Sequence, residues 1–99
     1  MIVTKTVTGN RMEIALEGKF DAVSAPKFEA EIAPTLEGIT ELIIDMEKLC
    51  YISSAGLRTL LFLKQTLDEQ RGSIAVRNVP ETVMSIFEVT NFIEIIPVI

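Results

Sequence analysis

Hydrophobic and polar positions alternate cleanly over residues 11–17, with Met12, Ile14 and Leu16 on one side and Arg11, Glu13 and Glu17 on the other. A period of two puts alternate side chains on opposite faces, so this segment predicts a strand with one face buried. The preceding residues 2–8 are rich in β-branched side chains (Ile2, Val3, Thr4, Thr6, Val7, Thr8), and Gly9-Asn10 stands between the two runs. Together they predict a β-hairpin closed by a two-residue turn.

After Gly18-Lys19-Phe20-Asp21 the period changes. Ala25, Phe28, Ile32 and Leu36 recur at helical spacing, with Ser24 as a capping residue and Pro26 in the first turn, where a missing N–H costs little. Pro34 should kink or end this helix, because it removes a backbone donor and clashes one turn back; Gly38 is a natural stop. Leu42-Ile43-Ile44 is a continuously apolar run, the pattern of a central strand covered on both faces. A second helix is predicted from near Ser54 to about Gln70, with the stripe Leu57, Leu60, Leu63 and Leu67. Ile74-Ala75-Val76 predicts another strand, Pro80 opens a third helix carrying Val83, Ile86 and Phe87, and Phe92 to Ile96 predicts a short final strand. The order β-β-α-β-α-β-α-β describes a single α/β domain. Its mixed sheet has about five strands, a hairpin followed by parallel strands joined through about three crossover helices.

Composition narrows the chemistry. The 99 residues carry a formal charge of −5, which disfavours nucleic-acid backbones and anionic membranes, both held by clustered Lys and Arg. No apolar run approaches the roughly 18 residues that span a bilayer, and residues 1–5 lack a signal-peptide layout. One cysteine, Cys50, fits a reducing compartment, so the cytosol is the expected location. The chain has no histidine. Serine nucleophiles usually need an adjacent base, most often His, and zinc sites need several His or Cys. Neither hydrolase nor metal chemistry is therefore expected, and no cofactor is predicted. Cys50 reads as a small packing residue without an activated thiolate.

The segment from Asp45 to Arg58 reads as a strand end, a loop and a helix start. Ser53 and Ser54 fall where a hydroxyl can accept from an unpaired amide of the first turn, and on spacing alone a capping role accounts for both. Ala55 and Gly56 leave the serines open to approach, and a helix N-terminus favours an anion. Asp45 reads as bonding loop amides where a buried strand ends. Asp21 is a candidate cap for the first helix or its turn. On a helical wheel Phe62 leaves the leucine stripe and falls beside Arg58, Gln65 and Glu69, which offers either a docking contact or packing on a neighbouring loop.

The run Tyr51-Ile52-Ser53-Ser54-Ala55-Gly56-Leu57, with Asp45 upstream, resembles the signature of STAS domains, in particular of bacterial anti-sigma-factor antagonists. Gly18-Lys19-Phe20-Asp21 and Ala25-Pro26-Lys27-Phe28 match a second recurrent segment of that family, and the likeness extends over roughly residues 2–97. It implies a STAS fold and a non-enzymatic partner switch. The unphosphorylated antagonist binds a serine kinase of the histidine-kinase-like ATPase type that is also the anti-sigma factor. Phosphorylation at the start of the second helix ends binding, and a phosphatase resets the switch. Aligned by Ile52 and Gly56, the phosphoacceptor is Ser54. Ser53 stands where the family often has Asp, and Ala55 where it has a second Ser or Thr. The docking residues implied are Asp21, Ser53, Gly56, Leu57 and Arg58, with Phe62 added from the helical wheel. A stand-alone module that binds a nucleotide or a lipid-transport component without phosphorylation is the alternative. Monomer and homodimer are both compatible with the sequence.

Overall fold

Why the hairpin closes where it does is visible at Gly9, whose φ of +61° is a left-handed backbone that glycine adopts at little cost. In the computed structural model, which describes residues 1–99, β1 (Ile2–Thr8) and β2 (Arg11–Phe20) pair antiparallel from Ile2 opposite Glu17 to Thr8 opposite Arg11. β2 then pairs in parallel with β3 (Glu41–Ile52), and β3 in parallel with β4 (Ser73–Arg77). The spatial order is β1-β2-β3-β4. Parallel neighbours need a crossover. These are supplied by α1 (Ser24–Ile32) between β2 and β3 and by α2 (Ser54–Glu69) between β3 and β4, while α3 (Glu81–Val89) follows β4.

Three helices were expected and three are present, but the sheet has four strands where about five were expected. Residues 92–94 form a 3₁₀ turn, entered through Asn91 at φ +60°. Phe92 and Ile96 are the buried residues of that segment, while Glu94, which would share their face in a strand, is exposed. Strand character survives only as a single parallel bridge from Val98 to Val76, held by Val76 N–H to the Pro97 carbonyl and Ile99 N–H to the Val76 carbonyl, both 2.9 Å. Pro34 acts as predicted: α1 ends at Ile32 and the chain tightens into a 3₁₀ turn over Ala33–Thr35.

All three helices cover one face of the sheet. Met12, Ile14 and Leu16 of β2, Leu42, Ile44 and Met46 of β3, and Ile74 and Val76 of β4 form one core with Phe28, Ile32, Leu60, Leu63, Leu67, Val83 and Phe87. Ile43, the middle of the run predicted to be covered on both sides, lies outside that core, although only 6% of it is exposed. It is flanked in register by Glu13 and Ala75, and Arg77 spans the same open face, with Nη1 to Glu13 Oε1 and Nε to Asp45 Oδ2, each 3.3 Å. The stems of charged side chains shield Ile43 there, as long polar side chains often do.

Asp45 does not end its strand. It lies midway along β3, where Oδ1 accepts the Glu47 N–H (3.0 Å) and Oδ2 accepts Asn78 Nδ2 (3.1 Å) and Arg77. Burial pushes this carboxyl up, but the Glu47 amide, Asn78 and Arg77 together outweigh it and hold Asp45 below the usual carboxylate range. Its work is to tie β3 to the residues that end β4.

Candidate functional site

At the carboxyl ends of β2 and β3, Phe20 and Ile52 are register partners, and the chain leaves the sheet at adjacent points. The Ser53 N–H donates to the Phe20 carbonyl (2.9 Å), so the residue after β3 is stitched to the last residue of β2. In open α/β sheets this end of the parallel strands is where binding sites collect. Asp21 follows Phe20 directly, so the turn into α1 and the start of α2 leave the sheet side by side.

Asp21 organises the turn into α1. Its Oδ1 accepts the N–H groups of Val23 (3.0 Å) and Ser24 (3.1 Å). Ser24 Oγ accepts the Asp21 N–H (2.9 Å) and donates to the Lys19 carbonyl (2.7 Å). The amides of Ser24 and Val23 hold the Asp21 carboxyl below the usual range, with a smaller pull from the Lys19 charge. Ser24 is thus the first residue of α1 and not its cap; Val23 holds the N-cap position without a side-chain bond, and Asp21 satisfies the amides there. The reciprocal bonds fix the turn and leave Val23, 70% exposed, projecting beside it. Sequence reasoning missed Val23. Its only signal was an apolar residue placed off the α1 stripe, immediately before the helix.

Ser53 is the N-cap of α2 (φ −100°, ψ 177°), and its carbonyl accepts the Leu57 N–H at 3.0 Å. Its hydroxyl makes no capping bond, however, and Ser53 Oγ is buried without any partner. Replacing a bonded serine cap by alanine usually costs about 1 kcal/mol. Here the alanine removes an orphaned polar atom, so Ser53→Ala should leave stability unchanged or raise it by up to about 1 kcal/mol in urea unfolding. A loss of that size would show that the hydroxyl is bonded after all.

Ser54 opens α2 and is exposed; Arg58, one turn on, is exposed as well. Gly56 and Leu57 face the other way. Gly56 is buried, and a Cβ there would lie 2.7 Å from the Phe20 carbonyl oxygen and 2.7 Å from Ile52 Cγ1. It cannot offer a side to a partner. Its smallness serves the close approach of α2 to the end of β2, not the openness of the serines. Leu57 and Ala55 are half-buried and pack against the core. Phe62 does the same, so it is not the exposed contact that the helical wheel suggested. Cys50 is exposed instead of packed, with Sγ 3.1 Å from the Gly18 carbonyl. A shallow groove beside the site runs between α1 and α2, lined by Ala25, Pro26, Glu29, Ala55, Arg58 and Thr59. No helix is long and apolar enough to cross a membrane.

The STAS domain family model matches residues 2–99, from the first strand to the last residue. The chain is a STAS domain. Among curated proteins it is similar to BtrV of Bordetella bronchiseptica, which carries the provisional name of anti-sigma factor antagonist. The two are 33% identical over 84 residues, 84% of this chain and 72% of that one. It is 26% identical over 89 residues to the anti-sigma-B factor antagonist of Bacillus subtilis, covering 90% of this chain and 82% of that one. Among solved structures, the unphosphorylated anti-sigma factor antagonist SpoIIAA superposes with a TM-score of 0.87 at 21% identity, covering 99% of this STAS domain and 88% of SpoIIAA. The phosphorylated form of SpoIIAA from Bacillus superposes with a TM-score of 0.77 at 20% identity, covering 99% and 91%. These superpositions establish the shared fold.

Proposed function

We propose that this STAS domain is an anti-sigma-factor antagonist that works as a partner switch, acting by binding and not by catalysis. The observation that carries the reading is Ser54, exposed as the first residue of α2 within the motif that the family shares. In the unmodified state, the surface around Asp21, Ser53, Ser54 and Arg58 docks an anti-sigma factor. Val23 belongs to the same surface by position, whereas Gly56, Leu57 and Phe62 support it from within.

The partner is also the kinase, a serine kinase of the histidine-kinase-like ATPase type. Ser54 Oγ attacks the γ-phosphorus of its bound ATP, the bond to the bridging oxygen breaks, and ADP leaves. The hydroxyl proton passes to a base on the kinase. The new group adds about −1.5 to −2 charge at pH 7 and ends docking; a phosphatase restores it. These partners place the switch in the cytosol.

Incubation with the cognate kinase and ATP, followed by mass mapping, should find one phosphate, on Ser54, and none on Ser54→Ala. Phosphate retained by the alanine variant would overturn the assignment.

A further inference from the structure

We propose that the phosphoryl group on Ser54 is received by Arg58, so that modification withdraws this cation from the docking surface in addition to adding negative charge. The inference rests on Ser54 as the phosphoacceptor and goes beyond it by naming the residue that holds the phosphate. Ser54 and Arg58 are four apart on one helix, the spacing that places side chains one above the other. Anion before cation is the favourable order of such a pair, because it also suits the helix dipole. Both residues are exposed.

Arg58 is also unengaged. Arg11, Lys64 and Arg77 each hold a carboxylate within 4 Å, but Arg58 makes neither an ion pair nor a hydrogen bond. It is the sole charged residue between Ser54 and Leu63. Lys19 and Asp21 stand before α1, and Glu29 lies on α1. Asp21 is committed to the amides of Val23 and Ser24. Glu29 lines the α1–α2 groove together with Arg58, yet the two form no ion pair. The guanidinium is therefore free to turn towards Ser54, and its planar fork matches two phosphate oxygens at once. Before phosphorylation the same fork is available to an acidic group on the partner. Afterwards it is occupied.

The test places phosphoserine at position 54 of the full chain by genetic encoding, so that no kinase is needed, and follows the second ionisation of the phosphate by ³¹P NMR. That ionisation normally falls near about 6. A neighbouring guanidinium stabilises the dianion, so Arg58→Gln should raise it by roughly 0.2 to 0.4 unit. Arg58→Lys should retain part of the difference, and Glu29→Gln should not reproduce it. The helix terminus acts on every variant alike, so the comparison isolates Arg58. Superimposable titrations for the parent and Arg58→Gln would overturn the pairing and leave the phosphoacceptor assignment standing. Failure of the kinase to modify Ser54 would overturn that assignment, and the encoded phosphoserine would still report on the pairing.

Discussion

Gly56→Ala is expected to lower the melting temperature by roughly 10 °C and to weaken partner binding in the molecules that remain folded. An alanine in a helix interior is ordinarily better than glycine by about 1 kcal/mol. Here the added methyl would meet the Phe20 carbonyl oxygen and Ile52 Cγ1, each at 2.7 Å, and Phe20 Cγ at 3.1 Å. A flexible side chain could yield, but the carbonyl belongs to the end of β2 and accepts the Ser53 N–H. The relief available is a displacement of α2 itself. Overpacking costs about 1–3 kcal/mol, occasionally more, and the backbone oxygen at 2.7 Å puts this site at the upper end, so a net loss of about 2 kcal/mol is expected after the propensity gain of about 1 kcal/mol. For a domain of this size each kcal/mol moves the midpoint by roughly 4–8 °C. The same displacement separates Ser54 from the Asp21 turn. Gly72→Ala provides the contrast. Its methyl would lie 2.7 Å from the Thr40 carbonyl oxygen, at the opposite end of the sheet, so it should cost stability without changing affinity. A Gly56→Ala protein as stable as its parent in calorimetry would refute the close-approach argument.

The elements read correctly from the sequence are those whose period is unbroken. The hairpin follows from strict alternation around Gly9-Asn10, and α2 from its leucine stripe. The sequence ends the strand near Asp45, whereas β3 continues to Ile52; the buried positions beyond Asp45 are Met46, Leu49 and Ile52, a spacing of three that no regular strand shows. Structure supplies the reason: the β2–β3 register slips between Ala15 and Glu17 and again between Gly18 and Lys19, and each irregularity turns the next side chain to the other face. Local sequence does not encode such slips, because they are settled between two strands some thirty residues apart. Ile43 is buried as expected, but the means of its covering is hidden for a similar reason. A buried isoleucine on an open face depends on Glu13 and Arg77 from the neighbouring strands, not on its own apolar neighbours.

The candidate site was legible where a residue type has one physical use. Asp21 just before a helix is such a case, and it caps the turn. Small residues are ambiguous, since Gly56 could admit a ligand or another stretch of backbone, and only the packing of α2 on β2 decides for backbone. Ser53 occupies the position of a cap without performing its bond, a distinction made by the direction of one hydroxyl. Phe62 lies off the leucine stripe on a wheel, yet packing between elements still half-buries it.

Ser54→Glu should reduce affinity for the anti-sigma factor by at least about 30-fold while leaving the fold as stable as before. The two halves of this expectation have different causes. In the free domain the new carboxylate stands at the exposed first position of α2, where the unpaired N–H groups and the helix dipole favour an anion by about 0.3–1 kcal/mol. Stability should stay level or rise slightly. In the docked state that carboxylate must be desolvated, and an uncompensated charge in an interface costs about 2–5 kcal/mol, or roughly one and a half to three and a half powers of ten in affinity. Ser54→Gln has nearly the same size without the charge. It should bind far better than the glutamate variant, which separates repulsion from bulk. Titration calorimetry against the partner, run beside thermal melts of each variant, reads both quantities. Affinity and stability falling together would mean that position 54 supports the fold and not the switch. Equal binding by the glutamine and glutamate variants would remove charge as the signal.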